Sequence, residues 1–187
     1  MSVGGIEGTG SRVTEGETLY GITQYAWPWF EETVSDVDAE QANWWPPGTA
    51  NSIGATYLHV VINADLELSW WLWDRRPVAD AIGWPYDLEQ YDRWERHAPV
   101  DWPALREYGQ AVATTIGEPS AADLERPIDM TRVGLGMWSG RDLYRLHGFN
   151  HVYIHGGEIA VLKGLQGGVG YKESEAFRAG VEVIDKS

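Results

Sequence analysis

Residues 53–73 (IGATYLHVVINADLELSWWLW) are apolar on nearly every side of a helix, and this constrains the chain more than any other stretch. A helix of this kind has to lie inside the protein with other elements packed around it. His59, Asn63, Asp65 and Glu67 interrupt it, so it reads as a buried helix rather than a membrane span. His59, Asn63 and Glu67 fall at i, i+4 and i+8 and therefore share one face. Asn51 or Ser52 marks its start.

Three more helices are expected around this one. Thr14 and Glu17 have capping-box spacing. Behind them Leu19, Ile22, Ala26, Trp29 or Phe30, Thr33 and Val37 form an amphipathic stripe, interrupted by Pro28, which should kink the helix. WWPPG (Trp44 to Gly48) is a firm break. Asp101 caps a third helix, with Pro103 in its first turn and Leu105, Tyr108, Val112 and Ile116 facing inward. Ser120 to Arg126 reads as a short helical turn and 127–138 as irregular. Ser139 and Asp142 then open a fourth helix that runs to about Gln166, stopped by Gly167 and Gly168. Its inner stripe takes Leu143, Leu146 or His147, Asn150 or His151, Ile154 or His155, Ile159, Leu162 and Leu165. The fold class is therefore all-α, a four-helix bundle. The long helix 2–helix 3 connection over 74–100 suits two consecutive helices that lie parallel. At 187 residues the chain fits one domain, residues 1–187, with the bundle over about 14–168. Residues 1–13 and 171–187 are expected to be peripheral tails.

Composition narrows the chemistry. The formal net charge of −14 repels phosphate backbones and anionic lipid, so neither nucleic acid nor membrane is expected as a partner. There is no cysteine, which removes disulfides, zinc–cysteine sites and a cysteine nucleophile, so any thiol must come from outside. The opening MSVGGIEGTGSR lacks the apolar core of a secretory signal, and together with the missing cysteines this fits a cytoplasmic protein. The 11 Trp and 9 Tyr suit a wet cavity or an interface, although most are expected to be fillers between helices.

His147, His151 and His155 are spaced four apart on the fourth helix. Two imidazoles at i and i+4 can share one ion, as in HExxH. Three cannot, because the outer pair is separated by about 12 Å along the axis while metal–nitrogen bonds are about 2.1 Å. One adjacent pair must therefore join a ligand from another helix, and His59 is the only histidine on the buried second helix. A lone core histidine, or an HxxxH on a surface, is commonplace; the coincidence of the two on inner faces is what points to a metal. Three histidines without a carboxylate leave coordination positions open, the catalytic arrangement. Glu158, three residues after His155, is placed to orient a ligand or transfer a proton, or else is a solvated helix charge. Asn63 is placed to support His59, and His147 to neighbour the site or pack as a polar residue. Asp65 and Glu67 read as ordinary helix charges, and His97 is given no role.

NSIGATYLHVV (Asn51 to Val61) and NHVYIHGGEIAVLKGLQG (Asn150 to Gly167) resemble the DinB-like superfamily. The likeness in layout covers residues 17–168 and includes WWPPG and the segment Glu107 to Ile128. It implies a bundle in up-down-down-up order, with a metal held by one His of the second helix and two residues four apart on the fourth. That pattern falls on His59, His151 and His155 and selects the second adjacent pair over the first. The family includes mycothiol-dependent maleylpyruvate isomerases and bacillithiol or mycothiol S-transferases, in which the metal binds a cofactor thiol. Many relatives carry Arg or Thr directly after the last ligand, where this chain has Gly156.

The resemblance implies a thiol-dependent S-transferase. A divalent ion, zinc or alternatively nickel, would activate a low-molecular-weight thiol of the mycothiol or bacillithiol type against a small electrophile. Glu158 is the proton-transfer candidate, and a homodimer is common in the family. Two alternatives stand beside this reading. One is a hydrolase using metal-bound water; the other is a non-enzymatic binding or stress-response protein with a structural metal.

Overall fold

The computed structural model describes residues 13–84, 99–131 and 134–171. His97, most of the expected tails and the middle of the 74–100 connection lie outside them. The described chain is mostly helical. Its helices are α1 (Glu15–Thr33), α2 (Ala39–Asn43), α3 (Ile53–Glu67), α4 (Val78–Ile82), α5 (Trp102–Thr115), α6 (Ala121–Glu125), α7 (Gly140–Arg145) and α8 (His151–Leu165). α3 runs on through a π-helical turn, Leu68–Leu72, and a second π turn, Leu146–Asn150, joins α7 to α8. Residues expected to be irregular instead form a small antiparallel hairpin, β1 (Pro127–Met130) with β2 (Gly136–Ser139), pairing Pro127 with Ser139 and Met130 with Gly136. Gly134 and Gly136 take positive φ there (80° and 75°), a conformation glycine adopts without strain.

Local chemistry sets the helix starts. The Thr14 N–H donates to Glu17 (2.7 Å) and the Glu17 N–H to Thr14 Oγ1 (3.1 Å), a complete capping box. Ser120 and Ser139 form the same boxes at α6 and α7, while Ser52 and Asp101 cap α3 and α5 by accepting one backbone N–H each. The end of α1 is set by tertiary contacts. It closes at Thr33, short of the expected Val37, because other helices take its last free carbonyls. Lys163 Nζ donates to the Thr33 carbonyl (2.7 Å) and to Asp36 (2.6 Å), and Arg106 donates to the Val34 carbonyl (2.8 Å). The helix is continuous across Pro28.

α3 is buried on nearly all sides, packed by α2, α5 and α8, while α1 packs on α8. Phe30 stacks on Tyr57 (centroids 5.1 Å), and Trp102 meets Tyr57 edge-on. Two expected stripes need correction. On α1 Ile22 is exposed, and Thr23 and Trp27 are buried in its stead; the Trp27 indole N–H donates to the Gly148 carbonyl (2.9 Å). On α8 Leu165 faces outward at 63% exposure, and of Ile154 or His155 it is His155 that turns in, towards α3, leaving Ile154 58% exposed.

Asp65 is not a surface charge: it is 2% exposed. Its carboxylate accepts from the Val78 and Ala79 N–H groups (both 2.8 Å) and from the Tyr108 hydroxyl (2.8 Å). It thereby fixes the first turn of α4, where Pro77 offers no capping side chain. Glu67 is buried as well.

Candidate metal centre

His59 lies near the middle of α3, and His151 and His155 occupy the first and second turns of α8. Packing of α3 against α8 brings the three rings together edge-to-face. Centroids are 4.6 Å apart for His59–His151, 4.9 Å for His59–His155 and 4.5 Å for His151–His155. Each offers one nitrogen, and these nitrogens all lie within 4.8 Å of one another. A tetrahedral ion with bonds of about 2.1 Å sets its donors roughly 3.4 Å apart, so small ring rotations close the set. This half-buried group can hold a metal ion, and it is the only such group among the described residues.

The electrostatics suit ligation. Burial, then the neighbouring imidazoles His155 and His147, lower the His59 pKa to about 4 against a weak opposing pull from Glu67. Burial, then His147, His59 and His155, lower that of His151 to about 2. Both rings are thus neutral at pH 7 and keep a lone pair for an ion.

Each ring also has a polar neighbour. His155 Nδ1 is 2.7 Å from Glu158 Oε2, which leaves Nε2 for the site. His59 Nδ1 is 3.0 Å from the Asn63 amide nitrogen, which donates to the His59 carbonyl at 2.7 Å. His147 packs edge-on against His151 at 5.3 Å and does not join the ligand set. Its Nε2 lies 2.5 Å from Glu67 Oε2.

Comparison with protein-family models, characterised proteins and solved structures returns no match. The site therefore rests on its own geometry.

In the sequence Glu67 reads as an ordinary helix charge with no part in this region. Its signal was present, since Glu67 stands two turns beyond His59 on the same face. What the sequence could not show is that His147 comes to meet it. His147 lies in the π turn and is buried there, against Glu67.

Proposed function

We propose that His59, His151 and His155 hold one divalent ion and that the chain is an S-transferase using a small thiol. The observation that carries the metal is the convergence of three imidazole nitrogens from two helices far apart in sequence. Zinc is the preferred ion, with nickel also suited to imidazole. When bound, the ion lowers the pKa of an incoming thiol and so favours its nucleophilic form.

The chain's own residues do the rest. Three neutral donors leave coordination positions open to a small molecule. Glu158 accepts from Nδ1–H of His155 and aims its Nε2, the outer-sphere role that ligating histidines require. Glu158 is also exposed enough to take a proton from solvent-borne substrate. Asn63 would serve His59 in the same way only with its amide reversed, which gives up the bond that it donates to the His59 carbonyl. The chain has no cysteine, so the thiol is a separate molecule.

The thiol chemistry rests on the resemblance to the DinB-like superfamily, as does the assignment of α1, α3, α5 and the α7–α8 unit as a four-helix bundle in up-down-down-up order. Packing of α3 on α5 and α8, and of α1 on α8, supports that assignment. Among the described residues no helix is long and apolar enough to cross a membrane.

The test begins with metal analysis of protein prepared without a histidine tag. One ion per chain is expected, lost in His59→Ala and in His155→Ala. A metal-free wild type, or variants that keep the full complement, would overturn the site. Loss of the electrophile monochlorobimane should then require both the ion and an added thiol. Turnover of ester substrates without thiol would instead mark a hydrolase. Ion-dependent stability with no turnover of either substrate would mark a structural metal.

A further inference from the structure

The three ligand candidates are not equally supported. His155 has Glu158 and His59 has Asn63, but His151 Nδ1 is buried with no hydrogen-bond partner. His147 Nδ1, on the neighbouring ring, is likewise buried with no partner. Two orphaned nitrogens side by side in a protein interior are costly unless they meet each other or a ligand.

The explanation starts at Glu67. Its carboxylate oxygen and His147 Nε2 are 2.5 Å apart, with side chains only 10% and 5% exposed. The contact has ion-pair distance without hydrogen-bond alignment, and a small turn of either side chain places a proton between the two atoms. Placed on Nε2, it makes Nδ1 of neutral His147 an acceptor. His151, ligating through Nε2 as His155 does, carries its hydrogen on Nδ1 and is a donor. The two orphans are therefore complementary. The ring centroids stand 5.3 Å apart. Two imidazole nitrogens aimed at each other across that gap would be about 3 Å apart, hydrogen-bonding distance. A modest ring rotation joins them.

We propose that Glu67, His147 and His151 form a buried relay, carboxylate to imidazole to ligand, that fixes which nitrogen of His151 faces the ion and sets a negative charge behind it. This rests on the three-histidine metal reading. It makes Glu67 and His147 positioning residues, and gives a site with three neutral donors a buried counter-charge that its ligands lack.

The test compares zinc affinity, measured by competition with a chromophoric chelator, in wild type, Glu67→Gln and His147→Phe. Imidazole nitrogen–proton correlation spectra of the zinc-loaded wild type are recorded alongside. Glu67→Gln keeps the size and an acceptor oxygen but removes the charge, and is expected to weaken zinc binding by about 10–100-fold. Metal-free melting temperature should move little, a split that a purely structural role would not produce. The spectra should show His151 protonated at Nδ1 and His147 at Nε2. Zinc affinity within twofold of wild type in Glu67→Gln, or His151 bound to zinc through Nδ1, overturns the relay and leaves the metal site standing. If Glu67→Gln does not fold, His147→Phe and the wild-type spectra decide. Wild type without zinc affinity overturns both readings.

Discussion

Gly156 follows His155 directly, and a methyl group there would overlap the Trp29 indole. Trp29 also packs on Tyr153 (5.5 Å) and Tyr171 (5.4 Å), so the ring has little room to retreat. The glycine thus has a local cause: Trp29 fills the space that a longer side chain at 156 would need. Gly156→Ala should cost about 1–3 kcal/mol, measured by urea unfolding, and a second change, Trp29→Leu, should recover much of the loss. Acid offers a further test at this scale. His59 and His151 have folded-state pKa values of about 4 and about 2, below the unfolded value of about 6.5. Between those limits the unfolded chain binds more protons than the folded one. Metal-free protein should therefore keep its full stability above about pH 6.5 and lose it as the pH falls towards 4. Denaturation midpoints at a series of pH values check this, and a flat profile over that window would contradict the burial of the two rings. The histidine cluster was partly legible in sequence, because spacing of four is a helix property; it left two adjacent pairs open, and the resemblance chose between them. The buried roles of Asp65 and Glu67 were not, because their partners lie elsewhere in the chain.

The elements show the same division between local and distant causes. Thr14 with Glu17, and Ser139 with Asp142, announce their helices because a capping box is complete within four residues. The hairpin gave no comparable signal, since each strand is four residues long and its partner lies beyond a turn. α4 belongs with the hairpin. It is a five-residue helix whose first turn is held by a carboxylate from α3. Asp65→Ala would leave two backbone N–H groups and the Tyr108 hydroxyl unanswered and should cost more than about 3 kcal/mol. Tyr108→Phe removes one donor and leaves Val78, Ala79 and Ser69 in place, and should cost only about 1 kcal/mol. Equal losses in the two variants, read by thermal unfolding, would show that Asp65 does not organise this corner.

For the whole molecule, the site ties two helices that the chain joins only by a long excursion. Zinc at 1,000 times its dissociation constant should stabilise the native state by about 4 kcal/mol. For a domain of this size that raises the melting temperature by about 8–16 °C. Calorimetry with zinc and with chelator measures the difference, and His59→Ala should show none. The sequence pointed to this architecture through the buried helix over 53–73, which had to be surrounded, and through the histidines on its partner. It could not give the angle at which the two helices meet, which side-chain packing decides. That meeting has a consequence for motion. With no disulfide available, an ion here would be a reversible clasp across the seam between α3 and α8. Amide hydrogens along that seam could exchange only after the ion departs, whereas those of α6 and the hairpin could open with the clasp shut. Metal supply would then govern the slowest openings of the protein and leave its quick ones untouched.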